Sequence, residues 1–98
     1  MRTAAEAHYD LGVQRHRKGD LLGAEASNLA AISKNPRHSA ALANLGTLLA
    51  RRGDLEGAEL NFRKALLANP RESGAHFNFG VFLTRKEDPD FAGAELRS

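Results

Sequence analysis

The chain contains no cysteine, which excludes disulfides and thiol chemistry and leaves any zinc site without its commonest soft ligand. It has no apolar run of membrane length, and its first ten residues lack the hydrophobic centre of a secretory signal, so the expected setting is cytoplasmic with no membrane contact. Charge of neither sign dominates. Fourteen Lys and Arg stand against 12 Asp and Glu, a net charge of +2, and the basic residues are not gathered into the face that nucleic acid demands. Only the pI of about 9.4 favours a nucleic-acid partner, and none is expected. His8, His16, His38 and His76 lack the i, i+4 spacing of a helical metal site. The glycines follow no phosphate-loop order, and Glu56/Glu59 and Asp88/Asp90 read as charges at helix starts. No metal, cofactor or catalytic residue is therefore expected.

What the chain does have is periodicity. Leu42, Leu45 and Leu49 fall three and four residues apart and share one helical stripe, which Gly53-Asp54 interrupts. A second stripe of Leu55, Ala58, Phe62, Ala65 and Leu66 runs on to Asn69-Pro70, where proline stops the helix. Two amphipathic helices joined by a tight turn make a hairpin. Its markers recur: Gly12, Gly46 and Gly80 stand 34 residues apart (46 − 12 and 80 − 46), each preceded by Leu11, Leu45 or Phe79. Gly19-Asp20 and Gly53-Asp54, Ala24 and Ala58, Ala31 and Ala65, and Asn35-Pro36 and Asn69-Pro70 keep the same interval. A fixed period of this length implies stacked units. The expected fold is an all-α solenoid of about three stacked antiparallel helix hairpins, over residues 5–38, 39–72 and 73–98. Gly46 and Ala58 would let two helix backbones approach while Leu45, Leu49, Phe62 and Leu66 fill the space beside them.

The outer units depart from the middle one. Thr3-Ala-Ala-Glu6 has the form of a capping box, in which hydroxyl and carboxylate each take a free backbone N–H. Asn28 replaces Phe62 and Arg15 replaces Leu49 in the first unit, which suggests more polar outer faces on a terminal repeat. His8 and His76 take the place of Leu42 and read as partly buried packing positions. In the third unit Gly93-Ala94-Glu95-Leu96 follows Gly57-Ala58-Glu59-Leu60 by 36 residues (93 − 57), a two-residue insertion in the turn Glu87-Asp88-Pro89. The last helix would then have only about eight residues, too few to stand alone. Either the chain is a segment of a longer array or it covers its C-terminal apolar end by forming a homo-oligomer. Phe77, Phe79, Phe82 and Phe91 gather near that end, as an exposed patch or as core.

The Leu-Gly pair, the Gly-Asp turn, the early Ala58, the Phe62 and Ala65 pattern and the closing proline together resemble the tetratricopeptide repeat over nearly the whole chain. The resemblance implies a non-catalytic protein-interaction module whose first helices line a concave groove. On those helices Asn44, Thr47 and Arg51 form a polar stripe, repeated as Asp10, Val13 and Arg17 and as Asn78, Val81 and Arg85. The stripe is similar to that of O-GlcNAc transferase-type arrays, where an asparagine at the place of Asn44 and Asn78 bonds the backbone of an extended peptide. An amide suits that task because it both donates and accepts. First helices about 8–10 Å apart would match about three extended residues of roughly 3.3 Å each. The expected groove residues are Asn44, Asn78, Arg51, Arg85, Thr47, Asp10, Arg17, Tyr9 and Phe77, holding an acidic or neutral peptide, or a partner helix, with micromolar to millimolar affinity. Solvation of the asparagines and the helix dipole acting on the arginines are the simpler readings of the same residues. Of the carboxylate clamp in chaperone-binding members only Asn44 is matched, since Tyr9, Val13, Gly74 and Asn78 stand at the other places, so a heat-shock tail is not the expected ligand.

Overall fold

A computed structural model of the chain describes residues 1–87. They form five helices: α1 (Ala4–Arg17), α2 (Leu21–Lys34), α3 (Ser39–Arg51), α4 (Leu55–Ala68) and α5 (Ser73–Arg85), with no strand among the described residues. The sequence explains where each helix begins and ends. Gly19 and Gly53 close the two hairpin turns at φ of 85° and 92°, a region where a Cβ is strained. The aspartates that follow cap the next helices: Asp20 Oδ1 accepts from the Gly23 N–H and Asp54 Oδ1 from the Gly57 N–H, both at 2.9 Å. Any side chain at Gly23 or Gly57 would run into the capping carboxylate. His38 caps α3 in another way, its Nδ1 accepting from the Ala41 N–H at 3.1 Å. At Thr3 only half of the expected capping box is made. Thr3 Oγ1 accepts from the Glu6 N–H, but the Glu6 carboxylate takes the threonine hydroxyl and not the backbone N–H, both at 3.1 Å. The cap is exposed, so the N–H left over is open to water.

α1 with α2 and α3 with α4 pack as successive antiparallel hairpins, α2 leans on α3, and α5 lies across α3 and α4. The all-α solenoid of stacked hairpins is the observed architecture. α3 is its hub, with Ala41, Leu42, Ala43, Leu45, Gly46, Leu48, Leu49 and Ala50 all buried. At the α3–α4 seam a Cβ on Gly46 would lie 3.0 Å from the Phe62 ring, so the absence of a side chain there is what seats the phenyl group. Phe62 also holds the next unit: its ring lies 5.4 Å from Phe79 and 5.5 Å from Phe82. Of the aromatic residues expected near the C-terminal end, Phe82 is therefore core, Phe79 half-buried against it, and Phe77 exposed.

Polar contacts act both within a hairpin and between neighbouring units. The buried Ser39 hydroxyl donates to the Ala65 carbonyl at 2.9 Å, joining the start of α3 to the end of α4. Arg52 meets Glu25 at 2.8 Å and Lys86 meets Glu59 at 3.0 Å, and each pair spans 27 residues. The two ion pairs are one contact repeated a period later. Hydrogen bonds from Lys86 and then Arg63 hold the Glu59 carboxyl below its ordinary range.

The first hairpin corrects two expectations. Asn28 is not on an outer face: it is fully buried, opposite Gly12, where an added Cβ would lie 2.9 Å from its amide nitrogen. Its Nδ2 donates to the Ala24 carbonyl at 2.9 Å, and its Oδ1 has no partner. Arg15 is half-buried, with Nη1 donating to Ser27 Oγ at 2.9 Å and reaching the Gly23 carbonyl at 3.4 Å. The repeat register decides which way both side chains face, and polarity changes only what they bond. His76 is exposed and not a packing position, because no described helix covers its side of α5; His8 is half-buried as expected. A Cβ on Gly80 would meet nothing within 4 Å. The helix expected to face it, the proposed insertion and Phe91 lie outside the described residues, apart from Glu87 at the start of that turn.

Two substitutions, one at the seam of each hairpin, are expected to act in opposite directions. Gly46→Leu would drive Phe62 from its seat and lower stability by about 1–3 kcal/mol. Asn28→Leu would remove an unpaired buried carbonyl and raise stability by about 1 kcal/mol, since the Ala24 carbonyl keeps its own helical bond. Urea unfolding followed by circular dichroism measures both; a destabilised Asn28→Leu variant would mean that the amide carries packing the leucine cannot replace.

Candidate functional site

A seven-residue spacing places two side chains on the same face of a helix, two turns and about 10.5 Å apart. That spacing separates Asn44 from Arg51 on α3 and Asn78 from Arg85 on α5, and it aims both pairs into clefts between successive first helices. The cleft between α1 and α3, about 430 Å³, is lined by Tyr9, Val13, His16, Arg17, Asn44 and Arg51. The cleft between α3 and α5, about 420 Å³, is bordered by Thr47, Arg51, Phe77, Asn78, Val81 and Arg85 over a floor of Ala50, Phe62 and Phe82. Arg51 belongs to both. Of the residues expected in a groove, Asp10 alone lines neither cleft; its carboxylate is paired with Arg2.

Asn44 and Asn78 are half-buried, and among the described residues neither amide makes a hydrogen bond. Each offers two N–H donors and a carbonyl acceptor to whatever enters. Thr47 spends its proton on the Ala43 carbonyl at 3.3 Å and remains as an acceptor. Phe77, 71 % exposed, adds an apolar wall. At the other end of the α1–α3 cleft the Tyr9 ring lies 5.1 Å from that of His38. Burial raises the Tyr9 hydroxyl above its ordinary value of 10.0; the negative charge of Glu72 adds to the shift, and Arg17 opposes it.

His16 is the lining residue that sequence reasoning missed. Arg51 Nη1 donates to His16 Nε2 at 3.1 Å, which requires a neutral imidazole with its proton on Nδ1. Burial, and then the Arg51 charge, lower its pKa below the ordinary 6.5. Its place beside Arg17, one step off the polar stripe, was the signal available. Because the folded state favours the neutral ring, the unfolded chain takes up a proton first as pH falls. Stability from this site is complete above pH 6.5 and is lost as pH drops toward the folded value. Wild type is accordingly expected to lose stability relative to His16→Gln between about pH 7 and pH 5, measured by urea unfolding at each pH; a constant difference would show that His16 is not held neutral.

Among the described residues there is no cluster of three or more His, Asp or Glu able to hold a metal ion, and no helix is long and apolar enough to cross a membrane. Nothing among curated proteins or solved structures matches the chain at a significant level. Residues 28–59, from the second half of α2 through α3 into α4, match the family model described as tetratricopeptide repeat. Repeats of this family generally mediate protein–protein interaction and are typically non-catalytic. Over residues 28–59 the chain is similar to the tetratricopeptide repeat family, and the 34-residue spacing of its glycines and its stacked hairpins are consistent with that likeness.

Proposed function

We propose that this chain is a non-catalytic, cytoplasmic interaction module that holds an extended protein segment across the clefts between α1, α3 and α5. The observation that carries this reading is the pair of half-buried, unengaged amides, Asn44 and Asn78, set one period apart and each at the border of a cleft. An extended segment needs a donor and an acceptor at regular steps, and an asparagine every 34 residues supplies both. Because the amides bond backbone, they set register and leave the choice of sequence to their neighbours. Each neutral hydrogen bond contributes about 0.5–1.5 kcal/mol net, so two of them with a few exposed arginines give micromolar to millimolar affinity, weaker at high salt. No cofactor takes part in the proposed role.

A second reading rests on a different observation. Phe77 and Val81, one turn apart on α5, are 71 % and 40 % exposed, an apolar patch that would suit end-to-end association in an array or a homo-oligomer. Light scattering over a concentration series separates the two, since a monomer at high concentration removes the second reading.

In a peptide-array screen followed by titration of the best ligand, Asn44→Ala and Asn78→Ala are each expected to weaken binding by about 2- to 10-fold. Unchanged affinity in both variants would dismiss the asparagines as the peptide contacts.

A further inference from the structure

We propose that the outer face of α1 receives a second copy of this chain, whose segment 90–96 docks there head to tail and sets its Glu95 against Lys18. This rests on the end-to-end reading above and names its contact. The two joints made inside the chain supply the pattern. Between α2 and α3, Leu21, Leu22 and Glu25 face Leu48 and Arg52; between α4 and α5, Leu55, Glu56 and Glu59 face Phe82 and Lys86. In both, the acid is the fifth residue of a second helix and the base is the C-cap of the first helix that follows, with the charges 2.8 and 3.0 Å apart.

α1 carries the receiving half of the same joint. Ala7, Leu11, Gln14 and Lys18 fall four, three and four residues apart and share one helical face. One period later these places are Ala41, Leu45, Leu48 and Arg52, of which the first three are buried. On α1 the face is exposed: Leu11 keeps 38 % of its surface where Leu45 keeps 4 %. Lys18 is the C-cap of α1, and among the described residues its ammonium makes no bond. The offering half is in the sequence. Asp20-Leu-Leu-Gly-Ala-Glu25 and Asp54-Leu-Glu-Gly-Ala-Glu59 recur as Asp90-Phe-Ala-Gly-Ala-Glu95, which lies outside the described residues. Glu25 takes Arg52 and Glu59 takes Lys86, which leaves Lys18 and Glu95 as the remaining members of the two series, opposite in sign. A second copy is therefore complementary to the first. Because the two surfaces differ, the contact is heterologous and can repeat along a row of copies. Gln14 in place of Leu48 or Phe82 puts an amide into the joint, so it is weaker than the joints inside the chain.

The test is sedimentation of the whole chain over a concentration series at low salt, where exposed ion pairs are least screened. The average mass of wild type is expected to rise with concentration past that of a dimer. Lys18→Glu, at a side chain with no bond to lose, should weaken association by about fivefold or more. The double variant Lys18→Glu/Glu95→Lys, with the pair reversed, should return it to within about twofold of wild type, and Lys64→Glu, an equal change of charge on α4, should leave it unaltered. Failure of the double variant to recover would overturn the pairing of Glu95 with Lys18. Equal effects of Lys64→Glu and Lys18→Glu would reduce the association to net charge and overturn the proposal, and a mass that stops at the dimer would replace the head-to-tail contact with a symmetric one. Association that survives Lys18→Glu but is lost in Phe77→Ser would overturn the joint and leave the end-to-end reading standing on its apolar patch. A monomer at every concentration would overturn both.

Discussion

Close approach of α3 and α4 at Gly46 is the constraint on which the rest depends. With no side chain on Gly46, the Phe62 ring sits against the α3 backbone, and from there it also meets Phe79 and Phe82. One aromatic residue thus closes its own hairpin and receives the next. This is how a helix of 13 or 14 residues, marginal alone, becomes part of a cooperative stack. The clefts are a by-product of that stacking. Their width is set by how far apart the first helices are held, and the lining side chains inherit their positions from the seam.

The first hairpin solves the same geometric problem with different chemistry. Asn28 occupies the place of Phe62 and faces Gly12 as Phe62 faces Gly46. An amide is smaller and polar, and it leaves an oxygen with no partner. Arg15 compensates nearby by bonding Ser27 and Gly23. The hairpin therefore keeps its shape with more hydrogen bonds and less apolar contact, and stability along the stack is expected to be uneven.

The fold was legible because its determinants are local and repeated. Glycine at the turns, aspartate at the caps, and small residues at fixed intervals each act through steric rules that a sequence displays directly. The lining of the clefts was legible for a related reason: positions seven apart share a helical face whatever lies opposite. What could not be read were the particular partners that side chains find in the folded chain. Asn28 looked like a surface residue because its polarity was weighed above its register. His16 stood one step off the polar stripe, but its role depends on Arg51, 35 positions along the chain, and no local pattern encodes that meeting. Asp10 sat on the expected stripe, but Arg2 captures its carboxylate.

The ion pairs between Glu25 and Arg52 and between Glu59 and Lys86 bear on how such a chain can change length. Each hairpin presents an acid on its second helix for the unit that follows and brings a base at the end of its first helix for the unit before. A duplicated or transplanted block would arrive with complementary edges already in place, like a tile cut to match its own copy. Growth by whole blocks therefore preserves the joints, whereas an offset of a few residues would leave an acid and a base without their mates.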